Sequence, residues 1–70
     1  MDIKRDRFKR LAEQRTNAVL HKLKVLGNCS NRSAYEYTEE EIARIFSTIE
    51  HAIRETKGKF YFSKQKKFRL

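Results

Sequence analysis

Proline is absent from this chain, and glycine occurs only twice, at Gly27 and Gly58. Without proline no helix is forced to break, so the two glycines become the natural punctuation. Cysteine occurs once, at Cys29, and tryptophan not at all. A single thiol closes no internal bridge, and Cys29 has no CxxC or Cys/His spacing for zinc. The expected setting is therefore reducing and cytoplasmic. No apolar run approaches the ~18 residues needed to span a membrane, and no segment reads as a signal peptide. Neither a membrane nor an oxidising compartment is expected. A Gly-rich phosphate loop and internal repeats are missing too.

What is present is charge, and it is unevenly placed. The 70 residues carry a net +8. Residues 1–26 hold eight basic and three acidic groups, +5; residues 27–56 hold three basic and six acidic groups, −3. Residues 57–70 hold six basic groups and no acidic one, +6. Two basic ends flank an acidic middle, which locates where a polyanion could dock. A single core in a chain this short rarely supplies more than ~3–5 kcal/mol. A partner, either a second copy or a ligand, is expected.

The stretch Gly27–Glu41 organises the rest. It ends on Thr38-Glu39-Glu40-Glu41, the form of a capping box, in which Thr38 and Glu41 each satisfy the other's backbone N–H. Tyr37 and Ile42 have the spacing of a hydrophobic staple across that cap. Three glutamates also oppose the positive end of the helix dipole. A helix is predicted to start here. The eleven residues from Gly27 to Tyr37 are longer than most helix–helix connections. Asn28, Ser30, Asn31 and Ser33 favour turns within it. It reads either as a functional loop or as a packed strap anchored by Tyr35 and Tyr37.

Apolar periodicity predicts two helices. In the first, running from about Asp2 or Lys4 to Leu26, Phe8, Leu11, Ala12, Val19, Leu23 and Leu26 share one face. Arg15 and Lys22 fall near that face, and Leu20 and Val25 fall off it. Gly27 is expected to end this helix in the left-handed region. In the second, from Glu39 to about Lys57, Ile42, Ile45, Phe46, Ile49 and Ile53 make a cleaner stripe, with Gly58 as its stop. Glu40–Arg44 and Glu50–Arg54 have favourable i,i+4 spacing. The fold class is all-α: an antiparallel hairpin of two long helices joined by a long loop, residues 1–58, followed by a basic aromatic tail, residues 59–70. That tail reads as a short strand or third helix, and Phe60 lies in phase with the second stripe. Pairing of two copies into a four-helix homodimer would cover the spare apolar surface.

Catalysis finds little support. His21 and His51 lie off the apolar stripes with no carboxylate or nucleophile at a fixed spacing. Cys29 beside Arg32 could be an activated thiol, but a loop cysteine filling a small gap is the plainer reading. The glutamates at 39–41 are explained by the helix start, so no metal and no cofactor is expected. The chain reads as a non-enzyme.

Binding of DNA or RNA is the leading expectation. Lys4, Arg5, Arg7, Lys9 and Arg10 crowd the start of the first helix, and Arg32 adds a cation in the loop. Lys59, Lys64, Lys66, Lys67 and Arg69 follow in the tail, interleaved with Tyr61 and Phe62, which offer stacking faces for bases. The bland alternative is a solvated helix face and a solubilising tail. The rival class is protein recognition, a small regulator or adaptor docking on a larger protein or nucleoprotein machine. A membrane-surface role is weakened by Asp6, Glu13 and the lack of tryptophan. No helix-turn-helix fits, because the connection is too long. A ribbon-helix-helix would need its strand before the helices rather than after them.

Overall fold

The computed structural model describes residues 3–65, with side-chain surroundings given through residue 61. The protein is all-α. Helix α1 spans Ile3–Gly27, a single 3-10 turn covers Asn28–Ser30, and helix α2 spans Glu39–Gln65. No strand occurs among the described residues. The chain divides into two units, Met1–Glu36 and Tyr37–Leu70.

In the first unit, α1 is a run of lysine, arginine, leucine, alanine and glutamine, residues that lose little on entering a helix. Asp6 in the first turn and Lys24 in the last both suit the helix dipole. Leu11, Ala12, Leu23 and Leu26 are half-buried, whereas Phe8 and Val19 of the same stripe are exposed. Leu20 and Val25, off the stripe, are exposed as well. The helix does not end in the expected way. Gly27 has φ −61° and ψ −23°, right-handed like its neighbours, and the chain continues into the 3-10 turn. Tightening to 3-10 geometry is a common way to use the last carbonyls of a helix. The true break is Asn31, whose backbone is extended at φ −70°, ψ 102°. Its side-chain Oδ1 accepts from the Ser33 N–H at 3.0 Å. Its carbonyl accepts from the N–H groups of Ala34 at 3.1 Å and Tyr35 at 3.0 Å. One asparagine thus satisfies the turn locally, as Asx turns do.

The second unit opens on the capping box. The Glu41 N–H donates to Thr38 Oγ1 at 3.1 Å, and the Thr38 N–H donates to Glu41 Oε1 at 2.9 Å. The Ile42 N–H donates to the Thr38 carbonyl at 3.2 Å, the first bond of the ladder. Tyr37 and Ile42 are both half-buried and line one shallow groove with Ile45 and Ile49, as the staple requires. Tyr35, by contrast, is 54% exposed. Further along, Thr48 Oγ1 donates to the Arg44 carbonyl at 2.9 Å, so this hydroxyl is satisfied within the helix.

The far end of α2 corrects a second expectation. Gly58 does not stop the helix, which runs seven residues further to Gln65. Residues 59–65 are therefore neither a strand nor a separate third helix. Phe60 takes its place on the stripe begun by Ile42. No described side chain is fully buried, so each stripe presents apolar surface that the unit itself does not cover.

Candidate nucleic-acid interface

Lys4, Arg5, Arg7, Lys9 and Arg10 all lie on the first turns of α1 and are exposed. At 100° per residue they encircle the helix rather than share one face. Two rows emerge from that collar. Lys4, Arg7 and Arg10 follow one another at i, i+3, i+6, a surface ridge about 9 Å long. Arg5 and Lys9 form a second row at i,i+4. Arg5 also sits over the Phe8 ring, its guanidinium carbon 6.0 Å from the centroid, at the outer limit of a cation–π contact. Asp6 and Glu13 fall on the opposite side from Phe8 and Leu11; Asp6 is four residues before Arg10, and Glu13 closes the Lys4–Arg7–Arg10 row three residues further on.

Arg32 lies in the turn after Asn31 and is exposed. In the second unit, Lys57, Lys59 and Tyr61 are exposed on the last turns of α2. Phe62 and Lys64 belong to the same helix by their backbone. Because this segment is helical, its residues follow a 3.6-residue period instead of the alternation a strand would give. Lys66, Lys67 and Arg69 lie outside the described residues.

One polar pair was not anticipated by the spacing argument. His51 Nε2 and Glu55 Oε2 stand 3.1 Å apart at i,i+4. Both side chains are largely exposed, on the side of α2 away from the isoleucines. The i,i+4 spacing was the available signal. The pair has the geometry of an ordinary helix-surface contact. Cys29 is a free, exposed thiol. Among the described residues no group of three His, Cys, Asp or Glu side chains is placed to hold a metal. No described helix is long and apolar enough to cross a membrane.

No protein family, curated protein or solved structure matches this chain.

Proposed function

We propose that the chain is a small, non-catalytic nucleic-acid-binding protein of the cell interior, which grips the phosphate backbone with both of its basic ends. The observation that supports this reading best is the exposed Lys4–Arg7–Arg10 ridge on a rigid helix. Phosphate binding needs cations held on a fixed scaffold, and releases counterions from the polyanion when they dock. In this reading the two helices fold back as an antiparallel hairpin, and two copies associate. Tyr61 and Phe62 supply stacking faces, which suits single strands and does not demand a particular base.

Fluorescence anisotropy with labelled oligonucleotides tests the reading. Lys66→Ala with Lys67→Ala should lower the log–log salt slope by roughly 1.4–1.8 and weaken every sequence alike. Tyr61→Ala with Phe62→Ala should cost ~1–3 kcal/mol per lost stack on single strands while the slope stays nearly intact. If the intact chain binds no oligonucleotide at low salt, the function passes to protein recognition. Retention of one protein from a nuclease-treated lysate would then identify the partner.

A further inference from the structure

Helix α2 is the element whose surface is apolar and charge-ordered at once. Ile42, Ile49, Ile53 and Phe60 run down one side, broadened by Ile45 and Phe46, for five turns or about 27 Å. Phe60, at the far end, is 62% exposed. Charge is ordered along the same length. Glu39, Glu40 and Glu41 stand at the start, and Lys57 and Lys59 stand near the end, all exposed.

The spacing carries more information than the sign. Ile42 and Phe60, Glu41 and Lys59, and Glu39 and Lys57 are each eighteen residues apart, which is five whole turns. Each pair therefore lies on one line along the helix. Glu41 and Lys59 follow one margin of the stripe, and Glu39 and Lys57 follow the other.

We propose that this stripe is covered by α2 of a second copy of the chain, running antiparallel. A two-fold axis perpendicular to both helices lays each margin against the same margin of the partner, reversed in direction. With the axis level with residue 50, Glu41 faces the partner's Lys59, Ile42 lies about 3 Å along the helix from the partner's Phe60, and Glu39 lies about 6 Å along from the partner's Lys57, within reach of these long side chains. Every contact occurs twice. A parallel pair would instead set glutamates against glutamates and lysines against lysines, which disfavours association. The surface is complementary to its own reverse, and that singles out a second copy as the occupant.

The inference deepens the proposed association of two copies and shares Lys59 with that reading, but it needs no nucleic acid, so it is tested on nuclease-treated full-length protein. Sedimentation equilibrium across micromolar concentrations should show a monomer–dimer equilibrium. Lys57→Glu alone, or Glu39→Lys alone, should weaken the dimer roughly tenfold, since each exposed pair contributes a few tenths to 1 kcal/mol and two pairs are inverted. The two substitutions in one chain should restore the dimer to within about threefold of the parent. Circular dichroism of each variant at high concentration shows whether α2 is still helical. A concentration-independent monomer, or single variants that dimerise as well as the parent, would overturn the proposal. So would a double variant no better than either single one.

Discussion

Helices α1 and α2 are nearly equal in length and equally free of proline, yet their residues specify them in different ways. Helix α2 begins at a closed capping box and carries an apolar stripe without a charge in it. The stripe of α1 is interrupted by Arg15 and Lys22, and its cations wrap around the axis. The contrast separates two tasks. A helix whose start is fixed by side chains and whose stripe is clean can serve as a packing surface. A helix that is basic on several sides is suited to a polyanion, and its apolar surface is secondary. Charge differs at the two helix starts as well, with three glutamates opening α2 and five cations crowding the first turns of α1.

The widest gap between the helices should appear on deleting apolar volume. Ile49→Ala removes a half-buried side chain from the centre of the clean stripe and should cost about 2 kcal/mol, the low end for such truncations in a core. Val19→Ala, at a position 55% exposed on α1, should cost less than about 1 kcal/mol. Urea denaturation of both variants measures the difference. Equal costs would erase the distinction between the two stripes.

Next in size is the cap. Thr38→Ala leaves the Glu41 N–H without its 3.1 Å partner and should cost about 1 kcal/mol. Tyr37→Ala should add to that through the lost contact at Ile42. An unchanged denaturation midpoint in both would mean that α2 does not depend on this start.

The glycines sharpen the comparison at the other ends of the helices. Gly58 lies inside α2, so Gly58→Ala should stabilise the protein by roughly 0.5–1 kcal/mol and raise its helical signal. Gly27 is right-handed, and a Cβ added there meets nothing within 4 Å. Gly27→Ala should therefore stabilise by about 0.4–1 kcal/mol. Left-handed glycine at either position would give the opposite sign, because alanine is strained there.

These outcomes bear on what the sequence disclosed. The start of α2 was legible because Thr38, Glu41, Tyr37 and Ile42 form a closed local pattern in which each residue satisfies another. The ends were misread because glycine permits a left-handed backbone without requiring it. Interrupting α2 at Gly58 would forfeit the backbone bonds of seven further residues and take Phe60 off the stripe. Continuing costs only about 1 kcal/mol for one glycine. At Gly27 the 3-10 turn absorbs the helix end, and the break passes to Asn31, whose side chain completes the turn. The candidate site was legible as composition, since Lys4, Arg7 and Arg10 stand out in any count of charge. Their alignment into a ridge depends on the helical period, and so on α1 being helical from Ile3 onward.

If cations on both ends of the chain bind phosphate, the salt dependence of oligonucleotide binding reveals it. Affinity of the full chain for a labelled oligonucleotide should fall linearly on a log–log plot against salt. Converting Lys4, Arg7 and Arg10 together to Ala should reduce that slope by roughly 2.1–2.7, on any base sequence, while the helical circular-dichroism signal is retained. A slope that the triple substitution leaves unchanged, or no binding at low salt by the intact chain, would contradict it.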